Sequence, residues 1–564
     1  MNRLDFPAAL PPCPRLLPLL KDRFSGWQLG MGRADTLVGL IEGVHRLAQD
    51  QPACRPMLPG MALWTMQSHP LSPGTAQWCA RLTAENLALS PHLAALAARM
   101  LLAMPLADGD AEDMGTWYAV VRQDDHALTL RFLSLVLGIP NKGLAWLAHC
   151  WQDLLFLGRP DVTRSALDLF PWDEATRPLQ DRLMAEWAFH SLPPDEALES
   201  VLALDPADWG LWRTYAGAEL LLRAGRKGEA KGALAQLWKT LPWHVNLTLK
   251  LHDLFHPAPP ADPARTGEAA VLLYSWNKAD LLADTLASLE ASALGDAPVF
   301  ALDNGSTDAT PDVLRAARDR FGADRFHVET LPVNVGAPAA RNWLLSLAGV
   351  RARRFAAFLD DDVVLPENWL RRLLGVAGNN PGAGAVGCRI TAAAPPYGLQ
   401  SADYNLFPQQ PKPTEPGMLP NRVLICDNCA NSPDTGLFTY TRPCLSVSGC
   451  CHLVSLAAVE AAGGFDLRYT PSQFDDLDRD LRSALAGMPA VYAGGLAVRH
   501  VQHSSLAKAR TTRQIGHVMG NKFKLDTKYS DEELAALASD NRDRLWRDLD
   551  AKYRTLSDRL GLRF

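Results

Sequence analysis

The sequence has no uninterrupted apolar run long enough to cross a bilayer, so hydropathy gives no reason to expect a spanning helix. Its opening stretch, MNRLDFPAALPPCPRLLPLL, is too broken by proline to read as a secretory signal. It has no excess of positive charge. Lys and Arg number 56 against 62 Asp and Glu, a formal −6, so no bulk basic field draws nucleic acid. Cysteine is sparse and uneven, ten in 564 residues, which suits a reducing compartment better than a disulfide framework; we expect a cytoplasmic protein. Up to about residue 255, β-branched runs are scarce as well. What remains is ordinary globular material, 48% hydrophobic and 21% charged, long enough for several domains.

Residues 1–255 read as helical. Apolar residues recur at spacings of three and four, as in HLAALAARMLLAM and HALTLRFLSLVLG. The clearest unit is TYAGAELLLRAGRKGEAKGALAQLWKTLP. There Ala218, Leu221, Gly225, Ala230, Leu234 and Pro242 stand where a tetratricopeptide-like repeat wants small, large, turn, small, large and stop residues. A degenerate copy, DEALESVLALDP, precedes it by about one repeat period. Such pairs bury their faces against neighbouring pairs, so a stacked array is expected; an irregular helical bundle is the plainer alternative.

HPAPPADPARTGEA, over 256–269, reads as a linker. Beyond it the texture changes. AAVLLYS, PVFALD, RFHVETL and RFAAFL read as strands; KADLLADTLASLEAS, TPDVLRAARDRFG and APAARNWLLSLAG read as the helices between them. Strands alternating with helices imply right-handed crossovers and a mostly parallel sheet covered on both faces. Ligands bind such sheets beyond the carboxyl ends of the strands. Those ends carry YSWNK, DNGSTD and the triple aspartate Asp360, Asp361 and Asp362. Asp303 follows the second strand directly and is suited to accept a hydrogen bond from a base N–H. Capping of the next helix falls to Ser306, Thr307 or Asp308, leaving Asp303 free. Trp276 offers a flat face for a base, or is one more core tryptophan. Asp360 and Asp362 share one side of an extended segment, and a divalent ion on a diphosphate needs only one or two such hard oxygens from protein.

LYSWNKADLLADTLASL, VFALDNGSTDAT, NVGAPAARNWLLSLA and FLDDDVVLPENWL resemble, in order and spacing, the nucleotide-binding half of family 2 glycosyltransferases of the GT-A fold. SGCCHLVSLAAVEAAGGFDLRY, FDDLDRDLRSALAG and VRHVQH resemble the acceptor half. The match spans residues 268–505, under half of the chain. The resemblance implies a nucleotide-sugar site of Tyr274, Trp276, Asp303, Arg341 and Asp361. It implies a Mn²⁺ or Mg²⁺ ion held by Asp360, Asp362 and His500, and Asp476 as the catalytic aspartate. FDDLD departs from the commoner glutamate–aspartate pair, with Asp475 in the place of the glutamate. The plainer readings are a surface ion pair for Arg341, a helix-dipole acid for Asp476 and a structural histidine for His500.

Residues 391–444 read as an inserted loop over the acceptor site. Its CDNC, with Cys426 and Cys429, lacks the second C-x-x-C of a zinc site. Residues 506–564 read as an amphipathic helical tail that packs on the catalytic domain or dimerises. The implied partners are a UDP- or dTDP-sugar donor and a protein or glycan acceptor. A nucleotidyltransferase would carry a glycine-rich phosphate loop after the first strand, and YSWNKADLL has none. A helical scaffold with a dead transferase domain is the remaining rival, and the aspartates it would have lost are present.

Overall fold

The structure, a computed structural model, describes residues 16–562 except 25, 31, 86–88, 124, 408–420, 427–431 and 502–511. Before Phe255 the described elements are all helical. Proline opens many of these helices, at Pro73, Pro91, Pro160, Pro194 and Pro206, where its missing N–H costs nothing and its fixed φ already suits the first turn. Ser90, Asp125 and Asp205 cap three of them by accepting from a backbone N–H two or three residues on. Helices Pro206–Arg223 and Lys227–Thr240 form the helix-turn-helix read from the sequence. Gly225 turns between them at φ 77, and Ala218, Leu221, Ala230 and Leu234 are buried. The first of these helices is broken at Trp209, and the Gln67 side chain fills the break: its Oε1 accepts from Leu211 N at 2.8 Å and Trp212 N at 3.0 Å.

The α/β half begins with β1 (Ala269–Ser275), β2 (Val299–Asp303), β3 (Phe326–Thr330) and β4 (Phe355–Leu359). All are parallel, as predicted, and they lie in the order β3-β2-β1-β4. Side-chain alternation on β1 explains the two covered faces. Val271 and Leu273 meet Leu282, Leu286 and Leu289 of helix Ala279–Glu290 on one side; Ala270 and Leu272 meet Ala340 and Leu344 of helix Ala337–Ser346 on the other. Further along come β5 (Val363–Val364), β6 (Ala385–Ala392), β7 (Leu399–Ser401), β8 (Asn405–Leu406), β9 (Ile425–Cys426), β10 (Thr441–Cys444), β11 (Cys451–Ser455) and β12 (Ala490–His500). Strand β11 runs antiparallel between β4 and β6, and β12 continues the sheet beyond β6.

The described parts of 391–444 are more than a covering loop. Strand β7 pairs with β6 and β10 pairs with β12, so the segment widens the sheet. It also binds the helical region. The buried Lys250 ammonium donates to Glu219 at 2.6 Å and to the Gly436 carbonyl at 2.8 Å, and Arg223 donates to the Asp434 carbonyl at 2.8 Å. One apolar core runs from the N-terminal helices through Leu437, Phe438 and Tyr440 to Tyr492 of β12. Leu549, Tyr553 and Leu556 of helix Asp531–Arg559 complete it, so the tail packs inward. Cys426 lies in β9, Cys429 lies outside the described residues, and among the described residues no group of metal-type ligands includes Cys426.

His69, His190 and His244 sit inside the helical region, and burial lowers their pKa values to about 4, 3 and 3. The unfolded chain takes up these protons below pH 6.5 while the folded one refuses them, so stability is expected to fall as the pH drops from 6.5 towards 4. Each proton contributes a slope of about 1.4 kcal/mol per pH unit. His244 caps helix Val245–Phe255 through Nδ1, at 3.3 Å from Leu247 N. His244→Asn replaces the capping ring nitrogen with an amide oxygen and removes the titration. Urea unfolding against pH should show a shallower acid slope for the variant, and identical slopes would count against this account.

Candidate active site

Three aspartates leave β4 together. Backbone pairing fixes them before any side chain acts: Asp360 N donates to the Cys450 carbonyl at 3.1 Å, and Val501 N donates to the Asp362 carbonyl at 2.9 Å. Adjacent carboxylates repel, so each needs a cation or donor. Asp361 is buried and accepts from Ser275 Oγ at 2.7 Å and from Lys278 Nζ at 2.9 Å. Asp362, also buried, lies 3.0 Å from His500 Nε2 and 3.2 Å from the same ammonium. Asp360 is the most exposed, its side chain at 27%, and faces Arg341 at 3.6 Å and His500 at 4.0 Å.

The local electrostatics follow from this arrangement. Burial raises the Asp361 carboxyl above the usual carboxylate range, with Lys278 and Ser275 working against it. Burial acts the same way on Asp362, but the His500 hydrogen bond and the Lys278 charge outweigh it and hold that carboxyl low. Burial opposes charge on His500 in turn, and its contacts with Cys450 and Asp362 lift its pKa to about 11. The imidazole is oriented from behind. Gln400 Oε1 lies 2.7 Å from Nδ1, and Gln400 Nε2 donates to the His500 carbonyl at 3.2 Å. An amide locked at both ends leaves Nε2 aimed at the aspartates.

Arg341, on helix Ala337–Ser346, is buried rather than on the helix surface as the plainer reading had it. It donates to Asp475 at 2.6 Å and lies over the Tyr274 ring at 5.5 Å. Asp475 and Asp476 open helix Asp475–Leu485, where the dipole favours both acids. Gln473 and Phe474, just before it, take positive φ values of 85 and 69, a strained backbone held immediately ahead of the acids. Their environments then diverge. Asp475 is buried against Arg341; Asp476 is half-buried and accepts from Gly449 N at 3.0 Å. A Cβ on Gly449 would stand 2.7 Å from that carboxylate, so the approach requires glycine.

Asp303 is placed at the end of β2 as predicted, but it is not free. Its Oδ1 accepts from Ser306 N at 2.9 Å, because the DNGS turn brings that N–H round to it. Ala309 stands at the N-cap of the next helix and has no side-chain cap; Asp308, one residue earlier, accepts from Thr310 N at 3.0 Å and Ala279 N at 3.1 Å. Trp276 stands at the rim, 49% exposed, and is not a core tryptophan. Tyr274 lies deeper, under Arg341. Sequence reading missed Lys278, although it stands in YSWNK one residue after a turn; it missed Gln400, which carries no motif, and gave Cys450 no role at the site. The donor set of carboxylate oxygens and an imidazole nitrogen fits a hard-to-borderline divalent ion.

The sheet carries aspartates, a histidine and the exposed Trp276 at its carboxyl edge, the edge at which α/β folds bind their ligands. Residues 270–430 match the family described as Glycosyl transferase family 2. The chain is 34% identical over 122 residues to validoxylamine A glucosyltransferase of Streptomyces hygroscopicus subsp. jinggangensis, covering 21% of this chain but only 28% of that protein. It is 29% identical over 251 residues to N-acetylglucosaminyl-diphospho-decaprenol L-rhamnosyltransferase of Mycobacterium tuberculosis, covering 41% of this chain and 75% of that one. A solved structure described as GalNAc-T7 with UDP, GalNAc and Mn²⁺ superposes with a TM-score of 0.35 at 11% identity, over 52% of this chain and 58% of that chain, too slight a likeness to bear on the site.

Removing one partner of the Arg341–Asp475 pair leaves a buried charge alone. Arg341→Met is expected to destabilise the fold by about 3–5 kcal/mol, and Arg341→Met with Asp475→Leu to recover more than half of that loss. Equal unfolding midpoints for the single and double variants would contradict the pairing.

Proposed function

We propose that the protein is a metal-dependent, inverting glycosyltransferase. It moves a sugar from a nucleoside diphosphate sugar, UDP or dTDP favoured, to a protein or glycan acceptor. The observation that carries this reading is the linkage through Arg341: one guanidinium faces Asp360 of the donor-side cluster and holds Asp475, the neighbour of Asp476, on the acceptor side. The match to family 2, and relatives named as a glucosyltransferase and a rhamnosyltransferase, support sugar transfer as the reaction class.

In this reading Asp360, Asp362 and His500 hold the divalent ion, which when bound neutralises charge on the departing nucleoside diphosphate. Trp276 stacks on the base and Asp303 accepts the N3–H of a uracil or thymine. Asp361 meets the ribose. Asp476 takes the acceptor proton as the acceptor oxygen attacks the anomeric carbon, and a single displacement inverts that centre. Its half-exposed carboxylate suits this role better than the buried, ion-paired Asp475. A positioned base of this kind accounts for about 10²–10⁴ in rate. The long face of a helical array supports an extended acceptor over a free sugar.

Asp362→Asn is expected to keep the fold and lose Mn²⁺-dependent binding of the donor by calorimetry; unchanged binding would sink the metal assignment. Asp476→Asn should bind donor normally and lose turnover by about 10²-fold or more. An active Asp476→Asn beside a dead Asp475→Asn would move the base to Asp475. Tighter binding of GDP than of UDP and dTDP would reject the proposed nucleotide.

A further inference from the structure

Antiparallel pairing of β11 with β4 sets Leu359 opposite Cys451, and the residue before each, or after it, continues the register: Asp360 stands across from Cys450. Strand β12 ends beside them at His500. A ligand oxygen of Asp360, the Cys450 sulfur and a His500 ring nitrogen all lie within 4.8 Å of one another. Donors around a tetrahedral ion at about 2.0–2.3 Å stand roughly 3.3–3.8 Å apart, so the three side chains need to close by only about 1 Å. Cys450 is half-buried, while the other described cysteines are all buried. The imidazole nitrogen facing it is fixed by the Gln400 clasp behind the ring.

We propose that Cys450 is a thiolate ligand of the divalent ion, and that this site therefore prefers ions of the zinc and cobalt type to Mg²⁺. The proposal rests on the metal-dependent reading above and deepens it. The physical ground is ligand softness. Carboxylates alone suit Mg²⁺ and Mn²⁺, whereas one thiolate and one imidazole shift selectivity towards borderline ions. As the metal–sulfur bond forms, the thiol proton leaves to solvent; the Nε2 proton of His500 leaves likewise, so binding releases protons. Gln400 acts as a positioning residue: it keeps the remaining proton on Nδ1 and Nε2 available to the ion.

The test uses the full chain, stripped of metal, titrated with Co²⁺ alone. The wild type is expected to show a sulfur-to-cobalt charge-transfer absorption in the near ultraviolet together with visible ligand-field bands. Cys450→Ser should lose the first and keep the second, and excess Zn²⁺ but not Mg²⁺ should erase both from the wild type. In the wild type itself, Co²⁺ should slow alkylation of Cys450, read on its own peptide, by at least about tenfold, which tests the idea without any substitution. Visible bands that vanish in His500→Ala but never carry a thiolate absorption, with Cys450 alkylated at the same rate with and without Co²⁺, would overturn the thiolate ligand and leave the metal-dependent reading standing. Co²⁺ binding indifferent to both His500→Ala and Asp362→Asn would overturn both.

Discussion

The catalytic half is organised around charge balance. Asp360, Asp361 and Asp362 at the end of β4, with Asp475 nearby, would repel one another out of any single geometry. They hold together because Lys278, Arg341 and His500 are supplied by three other elements: the loop after β1, helix Ala337–Ser346 and the end of β12. Each cation is placed by a separate part of the sheet, so the acids report whether the whole sheet has been assembled. The same cations let the acidic cluster stay folded with positive charge drawn from protein alone: Lys278 and the His500 Nε2 proton stand where they neutralise Asp362.

The helical half matters through what it covers. The apolar core under β6, β10 and β12 is not closed by catalytic-domain residues; it is closed by helices before Phe255 and by Tyr553 and Leu556 of the tail. Buried polar groups fix the register of that contact. Arg442 pairs with Asp403 and donates to the Gln28 carbonyl at 2.8 Å, tying strand β10 to the first described helices. Lys250 does the same for the segment around Gly436. Hydrophobic burial alone would let these layers slide; paired charges that are costly to leave unsatisfied specify one docking.

Much of this was legible in the sequence, for identifiable reasons. The four parallel strands and the helices between them announce themselves by short apolar runs alternating with amphipathic ones. The acids at their ends stand out because carboxylates so rarely follow a buried strand. Long-range pairing was not legible. Nothing in the spacing of Gln400 and His500 says that they meet, and nothing in SGCC says that Cys450 faces His500. The 391–444 segment misleads for a related reason: its Pro, Asn and Asp content signals turns, while the three- and four-residue strands that join the sheet are too short to leave a periodic trace. Asp303 shows the limit at close range, since a residue suited to a ligand is equally suited to its own turn.

The closing role of helix Asp531–Arg559 reaches beyond packing. The helical region leaves the ribosome before the elements that help close its core, Leu549, Tyr553 and Leu556 among them. At about 5–20 residues per second, the nearly three hundred residues between Phe255 and Tyr553 take roughly 15–60 s to synthesise. Throughout that interval the nascent chain carries an uncovered apolar face, long enough for chaperone capture and for mispairing with neighbouring chains on the same message.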